Sequence, residues 1–539
     1  MSRRDQPAGT ADDVAGSLSP FQRVIPSWTD ATVRRASQLI GGPLGRHAQV
    51  GRLQILTPLR VCLLMALLFL AFGWLAKSPC VQQTHGANGQ FVLDSSANRQ
   101  WISGCYNDVV PAYQIYGLNQ SVLPYAVHLN SAGQTLGALP YPVLTGMFMW
   151  LVARVSGAYV KFAGTSPLLP TPLDVAAFFT AGAILLGLIY LWAVASTVKI
   201  SRRRPWDVAI MCLSPLLVVH AFSNWDILPM ALLAAGMLAW SRSHPVAAGL
   251  LIGLGAAAKL YPVLFLVPLV VLGLRTGKLR PVAATALSAV VAWLVVNVPF
   301  AVAYPAAWRQ FFAANTDRKP EFTTVWSIFS DWSGSTLLNP NLPEGQAPGL
   351  VNAITALLVG AAFVGIGWLG LAAHRRPRVA QLMFLTLAAF LLLTKTWNPQ
   401  FSLWLLPLAV LALPRWKPLL IWQLAEAAVW FLLMLTFATK GDSTAHYALL
   451  SAYPFQVTAL IRDGLVILLT IMVIRDILRP AHDLVRLAGD DDPTGGVFAD
   501  APDHFTVGSL PAMFGFGGSA RATPADPGAG FVSEESVRN

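Results

Sequence analysis

Side chains suited to acid–base and phosphate chemistry occur in four short motifs of an otherwise apolar chain. A carboxylate at Asp108 can accept the proton of an attacking hydroxyl group. An ammonium group at Lys259 can stabilise negative charge that develops on a phosphate in a water-poor cavity. The motifs are "CYND" (105–108), "SNWD" (223–226), "KLYP" (259–262) and "NPQF" (398–401).

The composition indicates an integral membrane protein. Of the 539 residues, 55% are hydrophobic and only 12% are charged, whereas soluble domains have about 25% charged residues. The net charge of +11 is typical of cytoplasmic Lys and Arg, and no basic run with interleaved aromatic residues indicates nucleic-acid binding. We predict a membrane domain at 58–478 between two cytoplasmic tails, 1–57 and 479–539, whose polar composition predicts disorder.

Basic links between the apolar segments define the predicted sidedness. If the N-terminus is cytoplasmic and each segment crosses once, the basic links, such as "SRRRP" (201–205) and "HRRPR" (374–378), all fall on the cytoplasmic side, as the positive-inside rule requires. The polar motifs and two long loops, 77–172 and 304–349, then lie outside. We predict about twelve crossings, with both termini inside. The segments are 58–76, 173–198, 206–222, 226–241, 246–258, 262–274, 281–303, 350–373, 379–394, 401–413, 418–438 and 454–474.

One further apolar stretch, "YPVLTGMFMWLVARVSG" (141–157), is excluded as a crossing. Counting it would move the link 201–205 to the outside, against the positive-inside rule. We predict a re-entrant or surface helix within the first outer loop. A genuine thirteenth crossing is the alternative.

Lys259 is the one charged residue between Arg242 and Arg275. A single ammonium at the centre of a membrane helix costs about 2.5–3.5 kcal/mol, and Pro262 disfavours helix at the residue before it. We therefore predict two short spans with Lys259 at the turn, facing an outer cavity. A lysine that snorkels from a helix end is the alternative.

The four motifs share one predicted face, which favours a functional site. Helix capping is the alternative for each motif taken alone, because Asn224 and Asp226 are good N-cap residues and an Asn-Pro pair at 398–399 readily begins a turn. For Asp108, the alternative is a loop or N-cap aspartate.

The order of these motifs resembles glycosyltransferase family 87. The resemblance rests on "CYNDVVPAYQIYGL", "LPY", "YPVLTG", "RRR", "NWD", "AAAKLYP" and "NPQF", and covers roughly 58–480. That family contains polyprenyl-phosphate-mannose-dependent α-1,2-mannosyltransferases of actinobacterial envelope glycolipid synthesis. The resemblance implies a GT-C-like all-α membrane bundle with a long first extracytoplasmic loop. It also implies an active site at the outer face and a lipid-phosphate sugar donor.

The resemblance also implies roles for individual residues. Asp108 matches the first-loop aspartate that serves as catalytic base, and the transfer is expected to invert the anomeric configuration. Many relatives have a second acidic residue there, but this chain has Asn107. Because an Asp-x-Asp pair is a usual way to hold a divalent cation, we predict no metal and no cofactor.

The remaining predicted site residues divide into donor-phosphate and substrate ligands. The predicted donor-phosphate ligands are Lys259, Tyr261, Lys395 and Arg462. The predicted substrate-binding residues are Tyr106, Tyr113, Tyr141, His220, Asn224, Asp226, Asn398, Gln400 and His446.

For His220 and for the charges inside predicted spans, a structural role competes with a functional one. His220 lies one helical turn before Asn224 and is alternatively a structural histidine. Glu426 and Arg462 are charges inside predicted spans, where ionisable groups usually have a partner. We predict that they pair as a structural brace, with a chemical role as the alternative.

These observations predict a membrane hexosyltransferase of the cell envelope. It would move a sugar, mannose by the resemblance, from a polyprenyl-phosphate donor to a glycolipid or polysaccharide acceptor at the extracytoplasmic face of the plasma membrane. Membrane lipids and envelope-synthesis proteins are the expected partners. A polytopic transporter or lipid flippase, or a scaffold for envelope assembly, is the alternative. A transporter is expected to show an internal repeat, and the sequence shows none.

Two of the four cysteines, Cys80 and Cys105, lie in the first outer loop. Disulfides persist in oxidising extracytoplasmic compartments, so we predict a bond between them. It would fix the start of the loop to a point just before Asp108. Two free buried thiols are the alternative.

The predicted sidedness can be tested by labelling. A cysteine introduced in "SRRRP" (201–205) or "HRRPR" (374–378) should be shielded from an impermeant thiol reagent in intact cells, and one at 315–320 should react. Labelling of the site in 201–205 from outside would overturn the topology.

Overall fold

A computed structural model describes residues 57–86, 89–120, 122–126, 128–129, 135–136, 139–343, 345–440 and 450–509. This part of the chain is almost entirely helical. Two short antiparallel hairpins lie between the first two long helices, β1 (Gln83–His85) with β2 (Phe91–Leu93) and β3 (His128–Leu129) with β4 (Thr135–Leu136). The α-helices are α1 (Pro58–Lys77), α2 (Arg99–Ile102), α3 (Val109–Ile115), α4 (Val143–Ala163), α5 (Asp174–Ile200), α6 (Ala209–Cys212), α7 (Pro215–His220), α8 (Ile227–Ser241), α9 (Pro245–Ala258), α10 (Leu266–Thr276), α11 (Leu279–Ala303), α12 (Pro305–Asp317), α13 (Val325–Ser333), α14 (Gly349–Ala372), α15 (Val379–Leu393), α16 (Ser402–Ala412), α17 (Trp416–Lys440), α18 (Tyr453–Leu478) and α19 (Leu484–Leu487). The 3₁₀ helices are Ser78–Val81, Ser96–Asn98, Leu118–Gln120, Pro205–Val208, Tyr261–Phe265, Pro399–Phe401, Pro480–His482, Gly496–Phe498 and Val507–Ser509.

Seven of the described helices are long and apolar enough to cross a membrane, and they are α1, α4, α5, α11, α14, α17 and α18. Five shorter apolar segments of the described chain are Ile227–Ser241, Pro245–Ala258, Tyr261–Thr276, Val379–Leu393 and Pro399–Ala412. These helices confirm the predicted all-α, multi-pass membrane bundle. The number of twelve crossings stays a prediction.

The bundle has two ends of different chemistry. We call the end formed by the links 201–204, 242–244 and 373–378 the arginine end. The other end, formed by the links 221–226 and 394–398 and the loop after α1, is called the Asp108 end. The polar motifs of the sequence meet there, as the alternation of links predicted.

The predicted crossing at 206–222 is not one helix. The chain runs between the two ends as a 3₁₀ turn, α6 and α7, with a break at Leu213. Pro215 at the start of α7 excludes helix at Ser214, whose hydroxyl oxygen accepts a hydrogen bond from the Leu216 amide at 3.2 Å. Cys62 of α1 lies against the carbonyl of Pro205 near the arginine end.

Helix α4 corresponds to the stretch that the topology excludes as a crossing. By length and composition it qualifies as a span. Its contacts nevertheless lie at the Asp108 end. The Thr145 hydroxyl donates to the Ala258 carbonyl at 2.7 Å, and Phe148 packs edge-on against Trp225 at 5.6 Å. Its C-terminal half lines a cleft with the Asp108 end of α1 and the start of α5. These contacts favour the predicted helix along one end of the bundle.

Small residues bring α9 and α11 into close contact. A side chain on Gly249 would collide with the backbone of Thr285, and one on Gly253 with that of Ala289. Small residues four apart allow membrane helices to pack backbone to backbone. This contact fixes the short helix that ends at Lys259.

The C-terminal region 479–509 differs from the predicted disordered tail. It forms turns and α19 and packs across the arginine end. Arg378 and Asp483, each 1% exposed, form an ion pair at 2.8 Å. Arg275, also 1% exposed, pairs with Asp503 at 2.8 Å. Composition alone predicts disorder here, whereas the aspartates neutralise arginines of distant links.

Further hydrogen bonds hold this region, which we call the C-terminal clasp (480–509). The Asp492 carboxylate accepts from the Val379 amide at 3.0 Å, so it caps the first turn of α15. The Trp240 indole donates to the Gly495 carbonyl at 3.1 Å. The predicted boundary of the folded domain at 478 therefore moves to at least 509.

We expect Asp483→Asn to destabilise the protein. The substitution leaves the buried Arg378 guanidinium without its carboxylate, and breaking a buried pair typically costs about 3–5 kcal/mol. The thermal unfolding midpoint in detergent should fall clearly below that of the wild type. Asp500→Asn, at an exposed position of the same clasp, is the matched control and should leave the midpoint unchanged. Equal midpoints for both variants would contradict a stabilising clasp.

Candidate functional site

Asp108 lies at the start of α3, held by two side chains. The Asn224 side-chain amide donates to one carboxylate oxygen at 2.8 Å, and the Tyr106 hydroxyl donates to the other at 3.1 Å. The Asp108 amide donates to the Ser223 carbonyl at 2.8 Å. Burial raises the pKa of the Asp108 carboxyl, while the two hydrogen bonds oppose that rise. The carboxylate is thus oriented and partly desolvated, as a general base must be.

The segment before Asp108 is fixed from three directions. The structure contains the predicted disulfide between Cys80 and Cys105. The Lys77 ammonium donates to the Gly104 and Tyr106 carbonyls at 3.3 and 3.0 Å. The Trp430 indole donates to the Gly104 carbonyl at 2.9 Å.

Position 104 requires glycine. Its φ is +64°, and a Cβ would lie 2.8 Å from the Phe431 ring. The loop can therefore lie directly on α17 without a side chain between them.

The motif "NWD" connects Asp108 to Lys259. Two residues after Asn224, Asp226 forms an ion pair with the Lys259 ammonium at 2.5 Å. The same Asp226 oxygen accepts from the Trp404 indole at 3.0 Å. Lys259 also lies 4.1 Å from the centre of the Phe401 ring, a cation–π contact. The Lys259 side chain keeps 25% exposure, whereas that of Asp226 keeps 1%.

A cavity of about 290 Å³ opens beside Asp108. Aromatic and polar side chains line it, together with two carboxylates, those of Asp108 and Glu321. No Lys, Arg or His of the described chain is among the lining residues, which are Trp101, Tyr106, Asp108, Ser223, Glu321, Phe322, Thr323, Asn398, Pro399, Gln400, Trp430, Leu433, Met434 and Phe437. The volume is close to the lower limit for small-molecule sites. A larger cleft of about 670 Å³, between α1, α4 and α5, is almost entirely apolar.

Three predicted phosphate ligands have structural partners. Lys395 donates to the Thr316 carbonyl at 2.8 Å, and Tyr261 stacks on Trp404 at 4.1 Å. Arg462 is fully buried, pairs with Glu426 and Asp463, and donates to the Thr323 carbonyl at 2.8 Å. A guanidinium that is saturated in this way cannot reach a ligand in the cavity. Arg462 therefore belongs to the predicted brace and not to the phosphate site.

The predicted substrate ligands are only partly brought together. Tyr106, Asn398 and Gln400 line the cavity. Asn224 and Asp226 lie behind it.

The other predicted substrate ligands do not line the cavity. Tyr113 stacks on Phe178 at 4.8 Å within the core. Tyr141 packs edge-on against Tyr116 at 6.1 Å and lies against Asn224, close to Asp108. His220 is 1% exposed and packs edge-on against Trp430 at 5.2 Å, which matches the structural alternative. His446 lies outside the described residues.

The sequence analysis did not identify several side chains of the site. Glu321 and Trp101 line the cavity, but they lie in short segments without periodicity, where only the charge of Glu321 and the aromatic surface of Trp101 could have marked them. Lys77 has the sequence signature of an ordinary snorkelling lysine at the end of a membrane helix. It holds the loop through the carbonyl groups of residues 104 and 106, and no sequence pattern predicts that these groups lie close to it.

The described residues contain no cluster of three or more His, Cys, Asp or Glu side chains that could hold a metal ion. The predicted independence from a metal stays a prediction.

Comparisons with known proteins support a membrane glycosyltransferase. Residues 136–395 match the model of glycosyltransferase family 87, slightly less than half of the chain. The matched region contains Asn224, Asp226, Lys259 and Glu321 but not Asp108. No curated protein matches the sequence.

One similar solved structure is the archaeal oligosaccharyltransferase AglB from Archaeoglobus fulgidus, in complex with an inhibitory peptide and a dolichol-phosphate. The identity is 12%, the TM-score is 0.31, and the match covers 78% of this chain. The chain spans 56% of the length of that structure. A TM-score of this size is too low to define a shared fold.

We expect Lys259→Met to destabilise the protein because it leaves the Asp226 carboxylate buried without its ammonium partner. A buried group that loses its partner typically costs about 1–3 kcal/mol. The second substitution Asp226→Asn should restore most of the lost stability in the double variant. Thermal unfolding of both single variants and the double variant measures this coupling. Lys278→Met, at an exposed link, is the control, and additive effects in the cycle would contradict a stabilising pair.

Proposed function

We propose that this protein is a GT-C-type glycosyltransferase that moves a sugar from a polyprenyl-phosphate donor to a glycan or glycolipid acceptor. The observation that carries the proposal is the half-buried Asp108 carboxylate, oriented by Tyr106 and Asn224 at the edge of a cavity. This cavity lies at one end of a membrane helical bundle, where a membrane-anchored substrate can present its polar headgroup. The match to family 87 supports the same chemistry.

Asp108 serves as the general base in the proposed reaction. Its carboxylate accepts the proton of the acceptor hydroxyl as that oxygen attacks the anomeric carbon. The anomeric C–O bond to the phosphate breaks, and the phosphate leaves with its negative charge. Attack from the opposite side of the ring inverts the anomeric configuration. The donor is a substrate, and the proposed reaction uses no cofactor.

Positive charge near the leaving phosphate comes from Lys259 and Arg318. Lys259 is partly exposed beside its Asp226 partner. Arg318 is exposed and has no ion pair in the described part of the chain, and its charge acts on Glu321 and on Lys259. Cations in a water-poor site stabilise a departing phosphate much better than in bulk water. Arg318 takes the place that the sequence analysis gave to Arg462.

The proposal extends to the sugar, the membrane and the side. Mannose is the proposed sugar because the family that the motifs resemble uses it. The basic links at the arginine end favour a cytoplasmic location for that end and an extracytoplasmic site at the plasma membrane. Purified protein should consume polyprenyl-phosphate-[¹⁴C]mannose when a membrane lipid extract supplies the acceptor. Transport of the intact donor across proteoliposomes without sugar transfer would instead identify a flippase.

We expect Asp108→Asn to lower turnover by about 100-fold or more, the usual scale for loss of a general base. The asparagine keeps the size of the side chain, so the thermal unfolding midpoint should change little. Initial rates of transfer from the radiolabelled donor measure the effect. Asp94→Asn, in the same loop but outside the cavity, is the matched control. Near-normal turnover of the folded Asp108 variant would remove this residue from the mechanism.

The pH profile gives an independent readout of the same residue. A base acts only when it is deprotonated, and burial raises the pKa of Asp108 in the folded protein. Activity should therefore fall as the pH decreases through a value above about 3.9, the ordinary pKa of an aspartate. The residual activity of Asp108→Asn should lack this acid limb.

A further inference from the structure

Glu321 presents a carboxylate to the cavity from a rigid backbone. Its amide donates to the Lys395 carbonyl at 2.9 Å, and its carbonyl accepts from the Thr324 amide at 3.0 Å. Two residues later, Thr323 donates its hydroxyl to the Trp397 carbonyl at 2.6 Å. The buried Arg462 binds the Thr323 carbonyl. The position of Glu321 is therefore fixed by the Glu426–Arg462 brace and by the link 394–398.

The Glu321 carboxylate itself has no hydrogen bond or ion pair among the described residues. Burial raises the pKa of Glu321, the charge of Arg318 opposes that rise, and the charge of Asp108 adds to it. The carboxylate therefore has acceptor capacity that a ligand in the cavity can use.

The opposite wall of the cavity is aromatic. Trp101 stacks on Tyr106 at 4.9 Å and contacts Phe437 at 5.2 Å. Phe322 packs edge-on against Phe437 at 5.6 Å. A rigid aromatic surface with a few placed polar groups is typical of a small-molecule site, and it suits the apolar C–H face of a sugar ring while acceptors opposite bind the hydroxyl groups.

The charges of the cavity select against an anion. Two carboxylates line it, and no cationic side chain of the described chain does. A phosphate placed there would face like charges, which is costly in a poorly hydrated site. Lys259 is not among the lining residues and its ammonium pairs with Asp226, and Arg318 acts on Glu321 from outside the lining. The cavity is therefore suited to a neutral ligand rich in hydroxyl groups.

We propose that this cavity is the subsite for the acceptor saccharide, in which Glu321 accepts hydrogen bonds from sugar hydroxyls and Trp101 and Phe437 cover the ring. The inference rests on the proposed glycosyl transfer and assigns its acceptor side. Asp108 reaches the attacking hydroxyl of the same sugar, and Glu321 selects which hydroxyl faces it. Glu321 thus determines acceptor specificity and does not take part in proton transfer.

The variant Glu321→Gln keeps the size of the side chain and removes the charged acceptor. With octyl α-D-mannopyranoside as the acceptor, KM should rise about tenfold, the scale of a lost hydrogen bond to a charged group, while kcat and the acid limb of the pH profile stay close to wild type. Glu321→Asp should show an intermediate KM and guards against misfolding of the first variant. Asp331→Asn, outside the cavity, is the matched control and should behave like wild type.

A binding measurement separates this inference from the proposed function. Saturation-transfer NMR with methyl α-D-mannopyranoside and methyl α-D-glucopyranoside, without donor, should show ring-proton contacts that weaken in Glu321→Gln. Saccharide binding without sugar transfer by the wild type would refute the proposed function but keep the subsite. Active wild-type protein with unchanged acceptor KM and NMR signal in Glu321→Gln would overturn the subsite alone. A lower kcat with a shifted acid limb would assign Glu321 to proton transfer and would also overturn it.

Discussion

The geometry of the site depends on one turn, 224–226, which contacts both Asp108 and Lys259. Within the motif 224–226, Asn224 donates to Asp108 and Asp226 pairs with Lys259. A buried carboxylate is stable only if it is paired or hydrogen-bonded. The turn therefore fixes the distance between Asp108 and Lys259, because the partners of both side chains belong to three consecutive residues. The ring between them, Trp225, is buried against α4 and α5 and prevents the turn from rotating.

The rest of the bundle holds this turn in place from outside. The Cys80–Cys105 bond, Lys77 and Trp430 fix the loop that carries Asp108 to α1 and α17. The brace of Glu426 and Arg462 fixes the opposite wall. Catalytic groups must be held within a fraction of an ångström by supporting contacts, and here those contacts come from helices at both ends of the sequence.

The sequence predicts which chain segments meet at one end of the bundle, because basic and polar links alternate along the chain. The alternation of basic and polar links places Asp108, Asn224, Lys259 and Asn398 at one end, and the structure has them there. Their individual partners could not be predicted. A periodic pattern indicates which face of a helix is buried but not which residue lies opposite it. The sequence therefore predicts a phosphate ligand at Lys259 but not its ion pair with Asp226.

The C-terminal clasp at the arginine end is a second case in which the sequence does not predict the partners of charged residues. Its acidic stretch "GDDDP" (489–493) predicts disorder by composition. Two other aspartates of the clasp, Asp483 and Asp503, pair with arginines in links that are distant along the chain, Arg378 and Arg275. Ion pairs between residues far apart in sequence depend on the fold and cannot be predicted from composition.

Under the proposed function, the charges of the site direct the donor phosphate and the acceptor sugar to different positions. The acidic cavity excludes the donor phosphate and accepts a neutral sugar, while Lys259 and Arg318 are not among the residues that line it. Asp226 neutralises part of the Lys259 charge, so the lysine alone offers a phosphate less than a full positive charge. The exposed Arg318, which has no ion pair in the described part of the chain, supplies further positive charge. Because negative charge on the phosphate oxygen grows as the anomeric bond breaks, these cations stabilise the transition state more than the bound donor, and this difference is what accelerates a reaction.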